Sequence, residues 1–178
     1  MKTIPLKDGQ TVLLRESIKS DASELVDYLQ KIGTESDFLT FGPGELSVSV
    51  SDEEAILEES YTAKNKIMLL ALIGNKVIGC LHFTGGVRAR TRHTGEFGVS
   101  VLKNYWDQGI GTTMVRELIQ WAKDSSVIRK LNLRVRSDND RAIFVYEKLG
   151  FIQEGLITRE FCISGQFFDC IYMGLSID

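Results

Sequence analysis

With 178 residues, 43% of them apolar and 25% charged, the chain has the makeup of one globular domain, residues 1–178, with a single sizeable core. Its formal charge of −3 argues against nucleic acid as a partner, because that reading starts from a basic face or a basic isoelectric point. The longest apolar run, Ile67 to Ile73, is far too short to span a bilayer, and Met1 to Gln10 has no apolar core of a leader, so no membrane partner is expected and the default address is the cytoplasm.

In chain order, Thr11 to Arg15 reads as a first strand. Ser20 and Asp21 then offer N-caps for a helix that places Leu25, Leu29 and Ile32 on one face. Thr34 to Val50, with Gly42-Pro43-Gly44, reads as a loop or broken helix. Ser51-Asp52-Glu53-Glu54 has the form of a capping box, so a helix is expected from there to about Asn65, with Ile56, Leu57 and Tyr61 on its inner face. Ile67 to Ile73 and Val77 to Phe83 form an antiparallel pair around Gly74-Asn75-Lys76, residues that suit a tight hairpin.

Thr84 to Thr94 is a polar loop carrying Arg88, Arg90, Arg92 and His93, and it leads into a strand from Glu96 to Val101. Gly109 opens a helix in which Ile110, Met114, Leu118 and Trp121 recur with a period of about 3.6 residues. Leu131, Leu133 and Val135 alternate with Asn132, Arg134 and Arg136, as in a strand with one buried face. Arg141 to Leu149 reads as a short helix stopped by Gly150. The tail, Phe151 to Leu175, reads as two or three strands turning at Ser164-Gly165. Cys80, Cys162 and Cys170 lie in apolar, strand-like stretches without CxxC spacing and read as reduced packing residues; no metal is expected.

Two segments carry the chemistry. Val99 to Thr112 runs from a strand through a short connection into the helix start Gly109-Ile110-Gly111-Thr112. There the first unpaired backbone N–H groups converge at the positive end of the helix dipole, a setting that suits a diphosphate. A side chain in place of glycine would hold the phosphate oxygens off the backbone. The segment lacks the GxxxxGK[ST] of a triphosphate-binding loop and the third glycine of GxGxxG, so neither ATP nor a dinucleotide is the expected ligand. Asn139 to Phe151, directly after a strand, forms an N-x-x-A-x-x-x-Y-x-x-x-G-F run.

Taken together, the two segments resemble the GNAT superfamily of N-acetyltransferases. The similarity in element order spans nearly the whole chain, with the diagnostic residues between Glu96 and Phe151. Tyr105-Trp106 before the turn and Gly165-Gln166-Phe167-Phe168-Asp169 in the tail look most like the branch containing ribosomal-protein N-terminal, spermidine and small-amine acetyltransferases. Two residues depart from the family turn: Trp106 stands where Arg or Gln is frequent, and Asp107 where Gly is frequent. A carboxylate beside a diphosphate repels it unless it points away.

The resemblance implies an α/β (α+β) fold, a twisted and mostly antiparallel mixed sheet of about seven strands with about four helices, whose central strands splay apart. It implies acetyl-CoA as co-substrate, no metal, and a monomer or homodimer. Backbone amides of Gln108, Gly109, Ile110, Gly111 and Thr112 would hold the CoA diphosphate, and Val99 and Val101 would line the pantetheine arm across the gap from Leu133 and Val135. Asn139 would bond the pantetheine or position its loop, and Arg141 would reach the outer phosphate. Tyr146 matches the family tyrosine that protonates the departing thiolate; by helical spacing alone it reads as a core residue against Ala142.

The implied function is transfer of the acetyl group to a primary amine, either a small molecule such as a polyamine or a peptide N-terminus, by direct attack in a ternary complex. The alternative is a non-catalytic acyl-CoA-binding sensor or regulatory module. An alkylamine, with a pKa of about 10.4, is protonated at neutral pH, so a group must remove a proton. Glu96 is the first candidate, directly or through water, and His93 the second; His82, flanked by Leu81 and Phe83, reads as structural. From Glu35 to Ala63 there are eight acidic residues and no Lys or Arg. They read either as a wall attracting a cationic acceptor or as a solvated helix face complementing its own dipole.

Overall fold

The computed structural model describes all 178 residues. A first hairpin joins β1 (Lys2–Pro5) to β2 (Thr11–Glu16), and β1 is a strand that the sequence pattern does not signal. Two helices follow, α1 (Ala22–Glu35) and α2 (Val50–Thr62), then the hairpin of β3 (Lys66–Ile73) and β4 (Lys76–Gly85). Gly74 takes φ +59 at the first position of the two-residue turn, where the mirror-image hairpin turn requires glycine. β5 (Thr94–Val101), α3 (Ile110–Asp124), β6 (Lys130–Arg136) and α4 (Asp140–Lys148) supply the strand–helix alternation. The tail is one long hairpin, β7 (Ile152–Ile163) and β8 (Gln166–Ser176).

All eight strands lie in one sheet, one more than the seven expected, ordered β1-β2-β3-β4-β5-β6-β8-β7. Every neighbouring pair is antiparallel except β5 and β6, which are parallel. α1 and α2 pack on one face of the sheet, where the Tyr28 hydroxyl of α1 meets Ser100 Oγ at 2.8 Å. α3 and α4 pack on the other, where Trp121 meets Phe83 and Tyr146 meets Phe97. No helix is long and apolar enough to cross a membrane.

Four local expectations need correction. α2 is capped by Ser49, whose Oγ accepts from Asp52 N at 3.1 Å, so Ser51 lies inside the helix. Ser49 and Asp52 stand in the same three-residue relation as Ser51 and Glu54, and the backbone at Ser49 is extended, as a cap requires. The buried stripe of α2 is Glu53, Leu57 and Ser60, while Ile56 and Tyr61 face outward. In β6 only Arg134 is exposed; Asn132 and Arg136 are buried beneath neighbouring elements, so this strand is covered on both faces. Of the cysteines, Cys80 and Cys170 are buried and Cys162 is exposed, all three free.

Glu53 is 3% exposed, and burial alone acts on its carboxyl, raising the pKa. A carboxyl whose folded pKa lies above its unfolded one opposes folding when charged, so stability falls as pH rises from the unfolded value toward the folded one. Glu53→Gln, which keeps the shape and removes the charge, is therefore expected to raise Tm at pH 7 by about 2–4 °C, the shift that ~1 kcal/mol gives in a chain of this size. The gain should vanish in melts below about pH 4, where Glu53 is protonated in both states.

Candidate active site

β5 and β6 pair only at Thr94↔Lys130, Gly95↔Leu131 and Glu96↔Asn132. Beyond that rung β5 continues to Val101 bonded to β4 alone, and β6 continues to Arg136 bonded to β8 alone. The facing edges carry backbone groups without a strand partner, and the gap between them is bounded by half-buried Val99 and Val101 on one side and buried Leu133 and Val135 on the other. An extended chain with amide groups fits such a gap, because it can pair with both edges.

The C-terminal end of β5 leads to the helix start through a turn that is tied down at several points. Trp106 Nε1 donates to Val101 O at 2.6 Å, and the Arg141 guanidinium lies 5.3 Å from the Trp106 ring. Arg141 also pairs with Asp107 at 3.0 Å, which places a cation beside the carboxylate that the sequence left as a source of repulsion. Asp107 sits at φ 60, the left-handed region, which accounts for the family's glycine there; aspartate is among the few residues that tolerate it.

Gly109 is the N-cap of α3 at φ +75, with no side-chain cap, and the first intrahelical bond is Thr113 N to Gly109 O. The N–H groups of Gly109, Ile110, Gly111 and Thr112 thus lack helical partners and gather at the positive end of the helix dipole. A Cβ built on Gly111 would meet only Val101 Cγ2, at 3.9 Å, so the space in front of the turn is open. Residues 108–112 and the gap beyond Glu96 lie at the two ends of one strand segment, Val99 to Val101.

Asn139 is the N-cap of α4, its Oδ1 accepting from Ala142 N at 3.2 Å. Its side chain thereby caps the helix and ties down the loop that leads into it. α4 carries Tyr146 over Phe97 and Phe151, with ring centroids at 6.0 and 5.9 Å in edge-on contact. The ring is packing, but the hydroxyl has no hydrogen-bonding partner, and burial pushes its pKa up to about 12. Tyr146 therefore stays protonated across the physiological range and presents an unspent O–H.

On the opposite face stand the side chains of Glu96 and Ser100, with Gly98 leaving an opening between them. Glu96 Oε1 accepts from Arg134 Nε at 2.8 Å, and Arg134 bridges on to Glu160 at 2.7 Å. His82, cross-strand partner of Gly98, lies on this face beside Glu96 and not in the core. Its neighbours Leu81 and Phe83 point the other way, which period-two alternation already implies. His93 lies in the exposed loop before β5.

The acidic stretch is mostly occupied by internal partners. Lys31 and Lys103 N engage Glu35, Gly42 N donates to Glu45, Ser49 holds Asp52, Lys19 bridges Glu54 and Glu58, and Lys66 pairs with Glu59. Arg136, 6% exposed, stitches the α1–α2 loop to the β7–β8 hairpin. Its guanidinium donates to Asp37 O at 2.8 Å and lies 4.7 and 3.8 Å from the Phe38 and Phe168 rings, with Asp138 closing the fork. As site residues Arg136, Arg134 and Glu160 have no signal in the sequence, since their partners come from distant segments, and His82 reads there as structural only.

A family model described as the acetyltransferase (GNAT) family matches residues 23–151. The chain belongs to the GNAT acetyltransferase family. A GNAT-family acetyltransferase from Streptococcus pneumoniae superposes with TM-score 0.91 at 34% identity, covering 93% of this chain and 99% of that one. The structure of yncA from Salmonella typhimurium, solved with acetyl-CoA, superposes with TM-score 0.81 at 18% identity over 94% of both chains, a likeness of fold. Among curated relatives, the L-amino acid N-acetyltransferase AaaT of Escherichia coli K12 is 31% identical over 105 residues, 59% of this chain and 65% of its own length. Spermidine N(1)-acetyltransferase of the same organism is 33% identical over 78 residues, 44% of this chain and 42% of its own. The chain thus spans less than two thirds of the length of these two curated relatives.

Proposed function

We propose that this GNAT acetyltransferase moves the acetyl group of acetyl-CoA onto a primary amine, carried by a small molecule such as a polyamine or an amino acid, or by a peptide N-terminus. The observation that carries the reading is the juxtaposition along β5: unpartnered amides and an open space at Gly109 to Thr112, a gap between parted strands, and an unbonded Tyr146 hydroxyl beside it. Acetyl-CoA supplies a thioester, an acyl group already activated toward amines.

The chain's own residues supply the rest. Gln108, Gly109, Ile110, Gly111 and Thr112 bind the diphosphate through the backbone, with Arg141 at the rim offering a cation to the outer phosphate. The edges at Val99 and Val101 align the pantetheine amides, and Asn139 holds the loop that starts α4. Tyr146 delivers a proton to sulfur on the α3–α4 face. The amine's proton leaves on the other face, where Glu96 stands. Acceptors of the amine class, an L-amino acid and spermidine, are also what the names of the two curated relatives describe.

The test is a thiol-release assay with acetyl-CoA against polyamines, aminoglycosides, amino acids and N-terminal peptides. Amine-dependent CoA release by at least one class, with the acetyl amide identified by mass, supports the reading. Tight acetyl-CoA binding with no release against any amine would instead favour a non-catalytic acyl-CoA-binding module.

A further inference from the structure

The sheet face that carries Glu96 holds a second ionisable group to which the reaction so far gives no role. His82 lies directly across from Gly98, so close that a Cβ on Gly98 would stand 2.7 Å from His82 Cε1. A side chain at 98 would make the ring shift. The residue before it, Phe97, points to the other face and touches Tyr146, the proposed proton donor to sulfur. The sheet is one residue thick here, so His82 and Tyr146 flank the same point of β5 from opposite sides.

We propose that His82 takes the proton from the acceptor amine, with Glu96 beside it to stabilise the imidazolium that forms. This rests on the acetyltransferase reading above. Glu96 is poorly placed to do the work alone, because one of its oxygens is held by the Arg134 guanidinium. At the last rung before β5 and β6 part, on the same face, Asn132 is 6% exposed and its Oδ1 is a buried acceptor with no partner in the chain.

The other ionisable groups around His82 are Arg134 on β6 and, one step along β4 at Cys80, Tyr28 from α1 and Glu53 from α2; β3 presents Met68. Protein packed around the ring desolvates it and lowers the imidazole's pKa below its ordinary value, although part of the residue stays open to solvent, and the Glu96 charge partly offsets this, so the ring is neutral at pH 7 and free to accept. In the step itself the ammonium gives one proton to His82, which passes it to solvent, and the neutral nitrogen bonds to the carbonyl carbon. The carbon–sulfur bond breaks, sulfur keeps the pair and takes the Tyr146 proton, and the second amine proton leaves through solvent as Tyr146 is reprotonated.

His82→Gln places an amide at an exposed strand position, so folding is expected to survive, which a melt checks. With the best amine from the panel, kcat is expected to fall about tenfold, since Glu96 and water remain, with KM for acetyl-CoA unchanged. The fall of kcat/KM on the acid side, as the ring becomes protonated in the parent enzyme, should disappear in the variant. A readout independent of turnover comes from NMR titration of the ligand-free protein, which has only two histidines. His82 should titrate below the ordinary imidazole value, and lower still in Glu96→Gln, where the neighbouring charge is gone. Unchanged kcat and pH profile in His82→Gln, or a His82 ring protonated at pH 7, would overturn the assignment while leaving CoA release by the parent enzyme intact. If the parent enzyme itself releases no CoA, it is the acetyltransferase reading that fails.

Discussion

Tyr146→Phe is expected to lower kcat by about a hundredfold with the parent's acetyl-CoA affinity, the lower end of what a positioned proton donor contributes. The substitution keeps the ring, and with it the edge-on contacts to Phe97 and Phe151. It removes only a hydroxyl that bonds to nothing in the chain, so Tm should not drop. The expected loss is held to the lower end because a phenol pushed up to about 12 is a reluctant donor. A free thiol titrates near 8.5, about three and a half pH units below it, although exclusion of water raises the departing thiolate as well. Steady-state kinetics with calorimetric binding of acetyl-CoA separate the two quantities. Unchanged turnover would return Tyr146 to a packing role and remove the proposed acid.

Gly111→Glu should move stability and binding in opposite directions. In the free protein the new side chain enters open space, with Val101 Cγ2 the nearest atom to its Cβ. A helical glycine gives way to a good helix former, worth about 0.5–1 kcal/mol. An acidic group in the first turn of α3 adds about 0.3–1 kcal/mol through the dipole. Scanning calorimetry should therefore show a higher Tm. For acetyl-CoA the same side chain is an obstacle and a like charge: a unit charge about 4 Å from a phosphate costs about 4 kcal/mol at an effective dielectric constant near 20, roughly a thousandfold in Kd. A stabilised variant that still binds acetyl-CoA at the parent's affinity would show that the diphosphate is not held at this turn, and the functional proposal would fall with it.

The two test sites differ from the rest of the molecule in how legible they are. The glycine-bearing turn, the N-x-x-A-x-x-x-Y run and the strand–helix alternation around them are local patterns, set by backbone conformation over a few residues, and the structure has them at the expected positions. The cap of α2 was misread by two residues because two Ser-x-x-acid pairs overlap at Ser49 and Ser51, and only the path of the incoming loop chooses between them. The inner face of α2 was misread because apolarity was used to find it, while the helix buries Glu53 and Ser60 and leaves Tyr61 outside.

By itself the sequence determined the element order, the hairpins at Gly74 and Gly165, the helix start that exposes four amides, and the placing of Tyr146 one strand away from it. These follow from periods, caps and turn residues, all short-range. Tertiary structure alone decided that the parting of β5 and β6 begins after Glu96, that Arg141 neutralises Asp107, and that Arg136 holds the α1–α2 loop with its guanidinium against the Phe38 and Phe168 rings. It also decided that Arg134 engages Glu96 and that His82 rests on Gly98. Each depends on side chains from separate elements meeting in space, and no spacing along one chain encodes which partner a charge will find.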